Sequence, residues 1–251
     1  MTSRARPDRR VKQVIGEIID RYNATLRDGA LVEHADSVAQ SGRRATGGVK
    51  RANKGKLVED IGRRLVEAAW IEKGYPQSDL VFSPQKYPIP VREDYMARLL
   101  EKADSSEARD AINKVLAKGY PLNQDISVYR EDEFVLSIEC KAYAENAMLK
   151  RVVVDAWLMK QALTEQFPRL NFALIQLENQ MGGDYGELSK PRKVGSPQSH
   201  AIMSYFDVNL HIITLLEGGR KVDQPIHKAE YFKPLSENSL MIAVRQIQSL
   251  I

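Results

Sequence analysis

Asp125-Ile-Ser-Val-Tyr-Arg130, Glu131-Asp132-Glu133 and Phe134-Val-Leu-Ser-Ile-Glu-Cys-Lys141 run on without a break, and their alternation decides how the rest of the chain is read. From Gln124 to Lys141 the side chains alternate with period two, as in a pair of strands. A turn centred on Asp132 sets Ile126 opposite Ile138 and Val128 opposite Leu136, giving one consistently apolar face. On the other face Ser127 meets Ser137 and Asp125 meets Glu139, with Lys141 two residues further along. The turn has no glycine for a left-handed position, so the register is free to shift by a residue. Facing carboxylates repel in a bare hairpin. A divalent cation between them removes the conflict, because hard cations such as Mg²⁺ take oxygen ligands. An ammonium beside that ion can position or deprotonate a water and stabilise charge developing on a phosphate. The competing reading is a solvated face on which the acids and the lysine do nothing. Cys140 alternates to the apolar face and reads as core rather than nucleophile.

Outward from the hairpin, Lys56 to Lys73 reads as a helix that closes at Gly74, with Pro76 just beyond. Leu57, Ile61, Leu65 and Ala68 form its apolar stripe, and Gly62, Val66 and Trp70 widen it. Glu59 falls within that arc, where a carboxylate is costly unless it is paired or ligates a metal; it is the candidate accessory ligand, the competing reading being a helix-edge residue that merely snorkels to solvent. Asp60, Arg63, Arg64 and Glu67 point to the charged, solvent side. The chain opens with a helix over residues 8–28, and Arg92–Lys118 reads as helix broken at Asp104-Ser105-Ser106. The prolines between Tyr75 and Pro90 imply edge or irregular structure. After the hairpin come a helix from Ala144 to Gln166, strands at Asn171–Leu177 and Val208–Leu216, and a closing helix from Ser236 to Ile251. That order predicts an α/β (α+β) fold with a small mixed central β-sheet flanked by helices.

Glu59, Asp125 and Glu139-Cys140-Lys141, followed by a helix, resemble the PD-(D/E)xK nuclease superfamily, and the chain is similar to the type II restriction endonucleases within it. The resemblance covers Lys56 to Leu216, with Asn123-Gln124 standing before Asp125 where the family name has a proline. It implies a restriction-endonuclease-like core over about residues 56–216 of a single nuclease domain, 1–251. Residues 1–55 add a helix and a basic loop, and residues 217–251 a helical extension. It also implies that Asp125 and Glu139 hold Mg²⁺, that the main-chain carbonyl of Cys140 completes the shell, and that Lys141 assists the attacking water.

Other chemistries fit poorly. The four histidines, His34, His200, His211 and His227, are dispersed, and His211 in its apolar strand reads as a core residue. There is no Gly-x-Ser-x-Gly elbow and no Walker lysine. A single cysteine excludes a disulfide framework and a CxxC zinc site. The net charge of +4 is modest, but Ser41–Lys56 gathers Arg43, Arg44, Lys50, Arg51, Lys54 and Lys56 with four glycines and no acid. A flexible cationic loop suits a polyanion, since each phosphate contact releases counterions. A second loop, Gln180–Ser199, offers, with Asn179 just before it, Gln180, Lys190, Arg192, Lys193, Gln198 and Ser199. Both it and Arg43–Lys56 are candidates for reading base edges as well as phosphates, Arg suiting guanine and Asn or Gln adenine. Double-stranded DNA is the expected partner, and cutting both strands of a symmetric site favours a homodimer, with the first and last helices as candidate pairing surfaces. No apolar run reaches the roughly 18 residues that cross a bilayer, and no apolar stretch follows the charged N-terminus, so a cytoplasmic protein without membrane contact is expected. Alternatives are a repair or recombination nuclease with the same motif, or a non-catalytic nucleic-acid-binding protein.

Overall fold

A computed structural model describes residues 8–38, 43–179, 203–219, 226 and 229–251. In chain order they form α1 (Arg9–Val38), α2 (Arg43–Lys73), β1 (Leu80–Ser83), β2 (Tyr87–Ile89), α3 (Glu93–Lys102), α4 (Ser106–Lys118), β3 (Tyr120–Leu122), β4 (Ile126–Arg130), β5 (Glu133–Ala144), α5 (Asn146–Leu163), β6 (Asn171–Asn179), β7 (Leu210–Thr214) and α6 (Glu237–Gln248).

The hairpin is β4–β5, and its register at the acid-bearing end is the one the alternation predicts: Ile126 pairs with Ile138, Ser127 with Ser137 and Val128 with Leu136. Nearer the turn the register slips, so that Tyr129 pairs with Phe134 and Arg130 with Glu133. The turn is therefore Glu131-Asp132, not one centred on Asp132, and Glu131 takes the left-handed position at φ 54°, which glycine fills at less cost. A slip of one residue sends a side chain to the opposite face. Leu136 packs with the helices on one side, while Phe134 goes to the other and stacks between Tyr87 and Tyr129, 4.9 Å from each ring.

The central sheet runs β1-β4-β5-β6-β7. Its first three strands pair antiparallel and β5-β6-β7 pair parallel, so it is mixed, as expected. The fold is α/β, with both sheet faces covered. Against one face Ile126, Val128, Ile138, Cys140 and Ile175 pack on α1 (Ile15, Ile18, Tyr22), α2 (Ile61, Leu65, Trp70) and α6 (Leu240, Val244). Against the other, Phe134, Phe172 and Leu174 pack on α5 (Leu149, Val153, Met159) and on the small β2–β3 sheet (Tyr87, Ile89, Leu122). Ser127 and Ser137, placed by sequence on the polar face, are buried too, because the second face of the sheet is covered by α5 and the β2–β3 sheet, with the Ser137 hydroxyl against Met159. The apolar faces of α1 and α6, the helices considered for dimer pairing, are used inside the chain.

Gly62 sets how closely α2 approaches the hairpin. A Cβ there would lie 2.8 Å from Ile126 Cδ1 and 3.3 Å from Cys140 Sγ, so any side chain at this position would have to displace the tips of those side chains or move the helix outward.

Two helical expectations need correction. The first helix extends to Val38 rather than ending near residue 28. The segment from Arg43 to Lys56, read as a glycine-rich loop, is the first part of α2. No proline interrupts Arg43–Lys73, and Ala, Arg and Lys are strong helix formers. A glycine costs a helix only about 1 kcal/mol, so the amphipathic part beyond Lys56 can carry the helix backwards through Gly47, Gly48 and Gly55. The break at Ser105 is as expected: its hydroxyl accepts from the Ala108 N–H and caps α4.

Candidate active site

Asp125 stands one residue before β4, outside the ladder, and its carboxylate is held by the hairpin partner: the Cys140 N–H donates to Asp125 Oδ2 at 2.7 Å. Strand alternation puts Glu139 and Lys141 on the same side of β5. The Lys141 ammonium donates to Asp125 Oδ2 at 3.4 Å, to the Cys140 carbonyl at 3.2 Å and, more closely, to Glu139 Oε1. Three oxygens from three residues thus converge on one positive nitrogen. Asp125 and Glu139, set opposite each other in the sequence reading, are not a ladder pair, since pairing begins at Ile126 and Ile138, but both side chains reach Lys141, which bridges them.

Burial dominates the electrostatics. Glu139 is only 9% exposed. Burial pushes its carboxyl above the usual carboxylate range and the charge of Asp125 adds to the rise, against the pull of Lys141. Burial works against the charge on Lys141, but Glu139 and Asp125 together outweigh it and hold the ammonium above its ordinary value. Glu59, half-buried on α2, is raised first by burial and then by Asp125, with Arg63, Lys141 and Lys56 opposing. Glu59 therefore lies within the electrostatic reach of the hairpin group, as its place on the helix predicts. Cys140 is buried and free, and burial raises its thiol well above the ordinary value, consistent with a core residue.

Among the described residues no three side chains of His, Cys, Asp or Glu gather closely enough to hold a metal by themselves. The donors that converge are two carboxylates and one main-chain carbonyl, an all-oxygen set suited to a hard divalent cation rather than to zinc. In this structure those oxygens surround the Lys141 ammonium. The residues present fit the group.

Two members of the neighbourhood escaped the sequence reading. Asp155 on α5 is raised by burial, with Arg151 and Lys141 opposing, and its charge is felt at Glu139. It sits among the buried Val152, Val153 and Ala156, and the argument that singles out Glu59, an acid near an apolar stripe, applies to it equally. Helical periodicity puts Arg63 on the solvent side of α2 together with Asp60 and Arg64. Asp60 and Arg64 instead face α1, through Arg21 at 2.9 Å and Glu17 at 2.7 Å, while Arg63 reaches the site and donates to the Asp125 carbonyl at 3.3 Å. Only the spacing of Arg63 one turn after Glu59 hints at this.

The remaining candidates are scattered. Arg43, Arg44, Lys50, Arg51 and Lys54 lie along the first part of α2, not in a loop. Lys190, Arg192, Lys193 and the rest of Gln180–Ser199 lie outside the described residues. Asn179, read as a loop residue, is the buried last residue of β6, bridged to Gly219. His211, read as core, is exposed at the beginning of β7, the margin of the described sheet.

An acid pair and an ammonium thus gather on one hairpin of a mixed α/β sheet. No protein-family model matches the chain. Over 239 residues it is 41% identical to the type II restriction enzyme DdeI of Desulfomicrobium norvegicum, covering 94% of this chain and 95% of that one. The chain belongs to this family of type II restriction enzymes, which are DNA-cleaving hydrolases that generally need a divalent metal ion. Among solved structures, a native BbvCI A2B2 tetramer at low resolution matches over 92% of this chain and 89% of that one, at 10% identity and a TM-score of 0.35. No described helix is long and apolar enough to cross a membrane.

Proposed function

We propose that the chain is a Mg²⁺-dependent, site-specific endonuclease acting on double-stranded DNA, with Asp125, Glu139 and the Cys140 carbonyl as the metal-binding set and Glu59 adjusting it from α2. The observation that carries this reading is the convergence of those three oxygens on the Lys141 ammonium. When bound there, a divalent ion supplies positive charge for the phosphate oxygens and acidifies a coordinated water. Asp125 is kept in place by the Cys140 N–H, so one acid is preorganised by main chain rather than by a mobile side chain. Lys141, held in its charged form by the two acids, orients the attacking water and stabilises charge growing on the phosphate. The apolar walls above and below the hairpin keep these charges in a medium where they act more strongly than in water.

Residues 1–251 form one nuclease domain in this reading. Arg43, Arg44, Lys50, Arg51 and Lys54 contact DNA phosphates from a helix, and Lys190, Arg192 and Lys193 add contacts from their own segment. The active form is a homodimer, matching a symmetric site, in the cytoplasm where its DNA is met.

Plasmid DNA titrated with Mg²⁺ tests the proposal. Discrete fragments that disappear on adding chelator support it. A gel shift with intact DNA at every Mg²⁺ concentration would sink it and leave a binding protein.

A further inference from the structure

We infer that Arg63 is a positioning residue for the acids of the site, an inference that rests on the metal-binding reading above. Asp125 lies just outside both ladders: β4 pairs with β5 from Ile126 onward and with β1 from Ser127 onward. Its main-chain carbonyl therefore needs a partner from elsewhere, and Arg63 Nη2 supplies one at 3.3 Å. The guanidinium is itself held in place, lying over the Phe82 ring of β1 with Cζ 5.5 Å from the centroid. Arg63 thus ties α2 and β1 to the residue that carries the first acid.

The side chain of that acid is fixed by the Cys140 N–H and its main chain by Arg63, so its carboxylate is constrained from both ends. Arg63 also stands one helical turn after Glu59 and, of the nearby cations, exerts the largest pull on it. One positive group therefore draws on the helix acid through its charge and holds the hairpin acid through its main chain. A planar guanidinium with several donors in a fixed fork suits this double duty better than a flexible ammonium.

The test is Mn²⁺ binding followed by calorimetry in the absence of DNA, alongside cleavage kinetics, for R63Q, R63K and F82L. D125N and E139Q run in parallel. Outer partners of metal ligands typically change affinity or activity by about 10- to 100-fold. R63Q should weaken Mn²⁺ binding by about tenfold and lower kcat with little change in KM for DNA. R63K should fall between R63Q and wild type, and F82L should shift in the same direction by less. All should melt within a few degrees of wild type, with R64Q as the unchanged control. Wild-type Mn²⁺ affinity in R63Q, or an effect confined to KM and its salt dependence, overturns the positioning role, the second outcome making Arg63 a phosphate contact instead. If D125N and E139Q also bind Mn²⁺ as wild type does, the metal site itself is wrong and the inference fails with it. If they lose binding while R63Q keeps it, only the inference fails.

Discussion

Replacing Lys141 by Met removes the cation at the centre of the site while keeping most of the side chain's volume, and its consequences can be worked out from the contacts. At 3.4 Å from Asp125, Coulomb's law gives one such pair roughly 5 kcal/mol at an effective dielectric of about 20. Lys141 and Asp125 are 26% and 27% exposed. Solvent screening and the cost of desolvating the ammonium offset more than half of that figure, leaving about 2 kcal/mol. In chelator, Lys141→Met should be less stable than wild type by about that amount in a urea melt. The loss should shrink in acid. Glu139 already has a raised value, and without the ammonium it rises further. A carboxyl raised in the folded state destabilises the fold above that value and is relieved as pH falls through it. In the same variant a divalent ion no longer competes with a resident ammonium, so Mn²⁺ should bind more tightly by about 30-fold, the equivalent of 2 kcal/mol. Cleavage should nevertheless be lost, because no group remains to steer the water. Tighter metal binding with no turnover is the expected pairing. A variant as stable as wild type in chelator, with an unmoved Mn²⁺ midpoint, refutes the view that Lys141 occupies the metal's place.

Asp125→Asn and Glu139→Gln should each lower cleavage by about a hundredfold or more, beyond the loss of an outer partner, with DNA retention in a gel shift intact; normal turnover in either sinks the assignment. Neutralising Arg43, Arg44 and Arg51 together should reduce the salt slope of DNA binding by about 0.9 for each phosphate that is no longer neutralised, and an unchanged slope removes the first part of α2 from the interface. Gly62→Val should cost about 1–3 kcal/mol by overpacking against Ile126, read from the urea midpoint, and a neutral result would mean that the Ile126 side chain or the helix gives way freely. At constant Mg²⁺, activity should fall as pH drops through the raised Glu139 value, since the protonated acid no longer ligates; a flat acid limb contradicts this.

The acid-bearing end of the hairpin was legible because alternation fixes which side chains share a face, and the apolar partners Ile126, Val128, Leu136 and Ile138 leave one register there. Nearer the turn that constraint lapses. Val135 and Phe134 are both apolar, so nothing in the pattern marks the slip that moves Phe134 between Tyr87 and Tyr129. The helix of Arg43–Lys56 was missed because glycines and like charges argue against a helix locally, whereas continuity with the amphipathic part of α2 is a longer-range effect. Glu59 was visible as an acid on an apolar arc. Arg63 was not, because its partner is a main-chain carbonyl 62 residues away, and helical periodicity records only the face a residue occupies, not what comes to meet it.

The register slip between Val128 and Tyr129 has a consequence for how the hairpin can tolerate change. Pairing on the site side of the slip, Ile126 to Val128 with Leu136 to Ile138, does not involve the tip, which is tied instead to the segment before β1, the Glu131 N–H donating to the Asp79 carbonyl at 2.9 Å. A fluorophore at the exposed Asp132 is therefore expected to leave Asp125 and Glu139 in line, whereas an insertion that breaks the Glu131–Asp79 bond would loosen the edge of the sheet.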